Sequence, residues 1–333
     1  MSNFKRIVIT GAAGQDGLIL GLKLAKAGHN VVGVVKNSKQ KKFLKFYNPD
    51  LRAEILDASS LTKVKKFLEQ IQPEQIYHLS AKSSVANSWN DSDETLQTNI
   101  FHTLNWLNAL KELSMQSTRF YHASSSEMFG LSNSFPQTEG TRLHPRSPYG
   151  VSKVAAHHLV VNYRESFGQF ASTGILFNHE SPLRDLKFVT RKIARSVAEI
   201  KSGKSNYITL GNIDISRDWG WAPDYVEGMI SILNHESSDD FILATGKSHT
   251  LKEFIATAFL AIDEEDWEKY IQTDPNLTRP AEVISVVGDF SKAREMLGWS
   301  PTVNFEEIVR RLVDFEIQTI ARRGKDQIWK PQL

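Results

Sequence analysis

The chain has 333 residues, 41% of them hydrophobic and 23% charged, with a formal net charge of +2. Those proportions belong to a folded protein and exclude a disordered one, and so small a charge gives no reason to expect a nucleic-acid or membrane surface. There are no cysteines, which removes disulfides, thiolate metal sites and a cysteine nucleophile.

The opening Met1-Ser2-Asn3-Phe4-Lys5-Arg6 leads into an apolar run too short for a signal-peptide core. No apolar run approaches the roughly 20 residues of a membrane-spanning helix. The expectation is a cytoplasmic protein with no membrane and no nucleic-acid partner. The run Arg6–Thr10 predicts a buried strand, followed by a helix through Leu18 to Ala25. Further strands are predicted at Val31–Val35, Glu54–Leu56, Gln75–Leu79 and Arg119–Ala123, with amphipathic helices over Leu61–Ile71 and Leu96–Leu113. This alternation predicts an α/β fold, a doubly wound parallel sheet of Rossmann type. Helices near Phe188–Lys201, Tyr225–Asn234, Leu251–Ile262 and Phe305–Ala321 predict a smaller, mostly α C-terminal substrate domain. The division read from this pattern is a dinucleotide domain over 1–177 with a return segment near 213–244, and a substrate domain over 178–212 and 245–333.

Three glycines, Gly11, Gly14 and Gly17, stand between the first strand and the first helix. Their spacing permits a tight turn and close approach of the backbone to a pyrophosphate, which the helix N-terminus then faces. An acidic residue at the end of the second strand would favour NAD. Here Val35 is followed by Lys36-Asn37-Ser38-Lys39, so Lys36 offers charge to a 2′-phosphate and NADP is expected. The alternative is that these lysines form only a solvated loop. Asp57 is a candidate adenine contact or a cap for the helix that begins near Leu61.

Tyr149 and Lys153 are four residues apart, which on a helix puts them on one face. An ammonium nearby, with a cationic nicotinamide, would lower the tyrosine pKa toward that of a useful base. Ser124-Ser125-Ser126-Glu127 directly follows a strand, where loops line the ligand crevice of a parallel sheet. A hydroxyl and a carboxyl there suit a reacting sugar alcohol; a serine-rich helix start with a capping glutamate is the other reading. His78, His102, His122, His157 and His158 show no ligand spacing joined to a suitable carboxylate, so no metal is expected.

At these residues the chain resembles the extended short-chain dehydrogenase/reductases, and within them the GDP-mannose 4,6-dehydratase group. The resemblance rests on Thr10–Gly17, Ser124–Gly130, Pro145–Gly150, Gly174–Pro182, Phe188–Ile193, Leu210–Gly220 and Arg279–Glu282, and runs from the first strand to about Asp314. It implies Tyr149 as base, Glu127 as the acid/base that removes water, Ser125 on the sugar 4-hydroxyl and Lys153 on the coenzyme ribose. NADP, tightly bound and recycled, is implied to contact Gly11, Gly14, Gln15, Asp16, Gly17, Lys36, Asn37, Ser38, Asp57, Ala58, Leu79, Ala81, Ser83, Tyr149, Lys153, Asn178 and His179. The GDP-sugar is implied to contact Ser83, Ser125, Glu127, Tyr149, Asn178, Val189, Lys192, Arg217, Arg279 and Glu282. The implied reaction turns GDP-mannose, or a related GDP-hexose or heptose, into the 4-keto-6-deoxy sugar. A reductase or epimerase of a nucleotide-linked 4-keto sugar is the alternative, and it needs Tyr149 and Lys153 but no acid at Glu127.

Two features depart from the group. Its paired arginines after the second strand are replaced by Lys36-Asn37 in a shorter loop, which bears on NADP affinity and on a tetramer contact. The sugar-facing region carries His144, Leu183 and Trp221. The resemblance also implies a homodimer, or a homotetramer; Val154, Leu159, Val160 and Val161 fit either a dimer face or packing on the sheet.

Overall fold

A computed structural model describes residues 4–277 and 281–322 of the chain. Its first half runs β1 (Arg6–Thr10), α1 (Gln15–Lys26), β2 (Asn30–Val35), α2 (Ser38–Tyr47), β3 (Arg52–Ile55), α3 (Leu61–Ile71), β4 (Gln75–His78), α4 (Ser92–Leu96), α5 (His102–Glu112), β5 (Arg119–Ser125), α6 (Pro148–Phe167) and β6 (Ala171–Leu176). The second runs β7 (Asn178–Glu180), α7 (Val189–Lys201), β8 (Ile208–Leu210), β9 (Ser216–Arg217), β10 (Trp219–Trp221), α8 (Ala222–Asn234), β11 (Asp240–Leu243), β12 (His249–Thr250), α9 (Leu251–Leu260), β13 (Ile271–Thr273), α10 (Ser291–Leu297) and α11 (Phe305–Arg322).

Seven strands form one sheet in the order β11-β6-β5-β4-β1-β2-β3, every pair parallel. The inner strands read as unbroken apolar runs because helices cover both faces. On one face α1 and α8 bring Leu18, Leu20, Leu24, Tyr225, Met229 and Ile232 to the core. On the other, Val64, Phe67 and Leu68 of α3 meet Trp106, Leu107 and Leu110 of α5 and Val160 of α6. The chain order reverses between β1 and β4, and a ligand crevice opens beyond the carboxyl ends of strands at such a point. A separate core of Ile193, Val197, Trp219, Phe254, Phe305 and Leu312 joins α7, α9 and α11 beside that crevice.

Local signals explain the helix that matters most. Ser147 accepts from the Gly150 amide at 3.0 Å, Pro148 opens α6, and Gly168 closes it in the left-handed region at φ 64°. Twenty residues between those signals carry Tyr149 and Lys153.

The fold differs from the sequence reading at several points. Ser38 and Lys39 lie in the first turn of α2, not in a loop, because Asn37 accepts from the Gln40 amide at 3.0 Å and starts the helix. Strand β5 runs on through Ser124 and Ser125, which pair with Ile175 and Leu176 of β6. Of the α6 residues whose sequence fits either a dimer face or sheet packing, Val160 is buried, Leu159 packs beside it, Val154 packs on the Phe129–Phe177 cluster and Val161 is half-buried. Val151 of α6 and Phe101 remain 46% and 55% exposed.

Candidate active site

The carboxyl ends of β4, β5 and β6 open onto a cavity of about 360 Å³. Ser125, Glu127, Tyr149 and Lys153 line one wall of it, with Asp16, Leu79, Ala81 and Ser83 beside them. Asn178, His179, Val189, Lys192 and Arg217 line the other. The structure thus brings the four predicted catalytic residues together with Asn178, Val189, Lys192 and Arg217 from far along the chain, while Gly11, Gly14, Gln15, Gly17 and Glu282 are not in the lining. Arg279 lies outside the described residues.

The reacting wall is deeply set. Tyr149 and Ser125 are each 8% exposed and Lys153 is 4% exposed. Ser125 ends the β5 ladder and accepts from the Glu127 amide at 3.3 Å, which fixes the short turn that presents Glu127. Lys153 donates to the Ala123 carbonyl at 2.8 Å and stands 5.8 Å from the Tyr149 ring. Burial lowers its pKa from 10.5 to about 8. Burial likewise pushes the Tyr149 hydroxyl up to about 12, with the Ser125 hydroxyl working against it. The expected drop in the tyrosine pKa is therefore not made by Lys153 in this arrangement. Desolvation of the phenolate dominates, and a useful base needs a further positive charge in the cavity.

The glycine-rich turn fits a dinucleotide. Gly11 has φ +68°, and a Cβ on it would stand 2.9 Å from the Ser80 amide nitrogen; one on Gly17 would stand 2.7 Å from Ala12 Cα. Both positions therefore exclude any side chain. Gly14 precedes α1 without a side-chain cap, so the first amides of that helix face outward beyond the turn. Gln15, Asp16 and His179 bond chiefly to one another: Gln15 Nε2 donates to Asp16 Oδ1 and to the His179 carbonyl, each at 3.1 Å.

Lys36, Asn37, Ser38, Asp57 and Ala58, the residues expected at the adenosine, stand just beyond the ends of β2 and β3, apart from the cavity just described. Lys36 is 3.7 Å from Glu94 with its side chain 77% exposed. Asp57 accepts from the Ser59 hydroxyl and amide and from Lys63, which hold its carboxyl down at about 2. The Ala58 carbonyl accepts from Asn105 at 2.9 Å.

Lys192, Arg217 and Arg184 bring positive charge to the second wall. Lys192 donates to the Thr209 carbonyl at 2.6 Å, and Arg217 donates to the Ser216 and Val283 carbonyls at 2.8 Å each. Glu282 lies 3.6 Å from Arg217. Sequence reasoning missed Arg184, which lines the cavity with its guanidinium 3.8 Å from the Phe188 ring and 3.5 Å from Glu180. The signal was only a basic residue in the segment before α7. Conversely, His144, Leu183 and Trp221 do not face the cavity. Trp221 is buried in the second core, Leu183 packs on the first, and His144 is exposed, its backbone bonded to Met128 and Leu131. Among the described residues, no group of three or more His, Asp or Glu is placed to hold a metal, and no helix is long and apolar enough to cross a membrane.

The family model described as GDP-mannose 4,6 dehydratase matches residues 8–312. The chain belongs to that family. GDP-mannose 4,6 dehydratase 1 of Arabidopsis thaliana is 42% identical over 341 residues, covering 96% of this chain and 92% of the plant protein. Among solved structures, UDP-glucose 4-epimerase of Thermotoga maritima superposes with a TM-score of 0.84 at 24% identity, covering 94% of this chain and 99% of the epimerase. At that identity the likeness is one of fold. RMD of Pseudomonas aeruginosa, complexed with NADPH, gives 0.79 at 25% identity, covering 95% and 98%.

Proposed function

We propose that the chain is a GDP-mannose 4,6-dehydratase that turns GDP-mannose into the GDP-4-keto-6-deoxy sugar with loss of one water. The observation that carries this reading is Glu127 on the same wall as Ser125, Tyr149 and Lys153, since a reductase or epimerase needs only the last three. The RMD structure with NADPH and the fit of the glycine-rich turn support NADP as the resident coenzyme. The glycine-rich turn and Lys153 would hold that coenzyme, and when bound it would supply a hydride acceptor for C4, the same hydride for C6 and a positive charge to the cavity, so the reaction has no net redox change.

The chain's own residues do the rest. Tyr149 Oη takes the proton of the sugar 4-hydroxyl, which Ser125 Oγ orients. The 4-keto group acidifies C5, and Glu127 removes the C5 proton and delivers one to the departing C6 hydroxyl. Lys153 holds the coenzyme ribose from the next turn of α6. Arg184, Lys192 and Arg217 hold the diphosphate and nucleoside, with arginine suited to paired hydrogen bonds on phosphate oxygens.

The same reading assigns residues 1–177 and 213–244 to the coenzyme domain, and 178–212 with 245 onward to the nucleotide-sugar domain. It includes self-association as a homodimer or homotetramer, for which the exposed Phe101 and Val151 offer apolar surface; sedimentation velocity would measure it. The deciding experiment is mass spectrometry of the product after incubation with GDP-mannose, with GDP-heptoses run alongside. Loss of one water without added NADPH is expected. Reduction of a 4-keto sugar with NADPH consumed, and no dehydration, would make the chain a reductase.

A further inference from the structure

His179 is buried, and both of its ring nitrogens face atoms that can only accept. Nδ1 is 2.7 Å from the Phe177 carbonyl oxygen, while Nε2 is 3.1 and 3.2 Å from the two carboxylate oxygens of Asp16. A neutral imidazole has one N–H and would turn a lone pair toward one of these acceptors. Both contacts are hydrogen bonds only if the ring is an imidazolium. The ring also lies on the face of Tyr225 at 4.6 Å and 19°, an arrangement that favours a cation. Gln15 extends the connection, because its Oε1 accepts from Ser181 Oγ at 2.8 Å while its Nε2 bridges Asp16 and the His179 carbonyl.

These bonds join two parts of the site that the chain keeps far apart. Gln15 and Asp16 open α1 at the glycine-rich turn, whereas His179 and Ser181 lead into α7, which carries Val189 and Lys192. Glu180, between them, accepts from Thr190 Oγ1 in the first turn of α7 at 2.8 Å. We propose that Asp16 and His179 form a charge-compensated latch that holds the coenzyme turn against the nucleotide-binding wall, so that coenzyme affinity falls when His179 loses its proton and rises when a nucleoside diphosphate fills the other wall. The coenzyme part of this proposal rests on the function proposed above. His179 is a positioning residue, acting through Asp16 on the turn.

The charges around the ring set the direction. Burial works against the imidazolium, but the Asp16 carboxylate of α1 outweighs it, while Arg184 from the segment before α7 opposes Asp16, and the His179 pKa ends above 6.5. Tyr225 of α8 stays neutral, since burial raises its hydroxyl well above 10.0. Tyr121 of β5 and Tyr149 of α6, which also feel the Asp16 charge, are raised by burial and carry no charge near neutral pH before a coenzyme enters. The Asp16 carboxyl is itself lowered: burial opposes this, and His179 overcomes it. The latch is therefore closed between the Asp16 and His179 pKa values and opens as pH rises through the second.

Nitrogen NMR of the histidine-labelled chain tests the charge directly, with the His179 signals assigned by their loss in His179→Gln. Two protonated ring nitrogens at neutral pH are expected; a single protonated nitrogen overturns the proposal, whatever the chain binds. NADPH fluorescence then measures coenzyme affinity from about pH 6 to about pH 9. His179→Gln should weaken binding by roughly tenfold at the acid end. It should also remove the part of the pH dependence that distinguishes it from wild type, leaving whatever Lys153 contributes. Added GDP should tighten NADPH binding to wild type and not to the variant. Equal affinities and equal slopes would overturn the latch. Failure of the wild-type chain to bind NADPH at any pH would overturn the coenzyme part and the function reading with it, while the ring-nitrogen spectrum would still decide the state of the pair.

Discussion

The two ends of the proposed coenzyme site are built on opposite terms. At the reacting end, Ser125, Tyr149 and Lys153 are at most 8% exposed, and their positions follow from a strand ladder and a helix interior. At the adenosine end, the Lys36 side chain is 77% exposed and meets Glu94 only at 3.7 Å. Burial shifts the pKa of Tyr149 and Lys153 and leaves them no alternative partner, whereas water and salt screen Lys36. The chemistry is therefore anchored, while the preference for one coenzyme over another is adjustable at little risk to the fold.

The sharpest way to break this contrast is at the tyrosine. Tyr149→Phe should lower kcat by about 10²- to 10⁴-fold with the fold intact, as seen by circular dichroism. A loss under about tenfold would mean that another group takes the proton. Next in size is Arg217→Lys, which keeps the charge but loses the planar guanidinium whose Nη1 reaches both the Ser216 and Val283 carbonyls. It should raise KM for the GDP-sugar by roughly tenfold or more, with a smaller effect on kcat. An unchanged KM would remove Arg217 from the substrate site.

Lys153 sharpens the comparison through stability. Its folded pKa is about 8 against 10.5, so the folded chain gives up this proton before the unfolded chain does. Between those values the unfolded state binds more protons and stability rises with pH; below them the buried ammonium is a standing cost. Lys153→Met should therefore raise the melting temperature at neutral pH, by the equivalent of about 1 to 3 kcal/mol, while abolishing activity. The gap should narrow as the pH approaches 10.5, the value for an ordinary lysine. A variant less stable than wild type at neutral pH would show that the bond to Ala123 outweighs desolvation. The smallest effect belongs to Lys36→Ala. Stability should change by no more than about 0.5 kcal/mol, and NADPH affinity should fall by at most about tenfold, in a salt-dependent way. A loss of about a hundredfold would place the adenosine end on the same footing as the reacting end.

The same contrast explains what the sequence made legible. Arg6–Thr10, the glycines after it and the four-residue spacing of Tyr149 and Lys153 on a helix are local signals, and all three describe what the structure contains. The start of α2 was missed because its signal is a single asparagine cap in a lysine-rich stretch that also reads as a solvated loop. Ser124 and Ser125 read as a loop or a helix start because serine is a poor strand former, yet β6 alongside supplies their hydrogen-bonding partners. The bond between Asp16 and His179 joins residues 163 apart in the chain, and no periodicity reaches that far. Trp221 was placed near the sugar by its neighbours in sequence, but its indole is buried in the second core, with the Arg311 guanidinium 5.1 Å from its ring.

Strand β11 lies next to β6 although α7 and α8 separate them in the chain. As the protein is made, β6 leaves the ribosome with an open edge that only residues 240–243 can cover. A bare parallel edge is a template for wrong pairing, so the nascent chain is most vulnerable to aggregation in that interval. It also means that the two halves cannot be exchanged between relatives as simple cassettes, because each half is finished by the other.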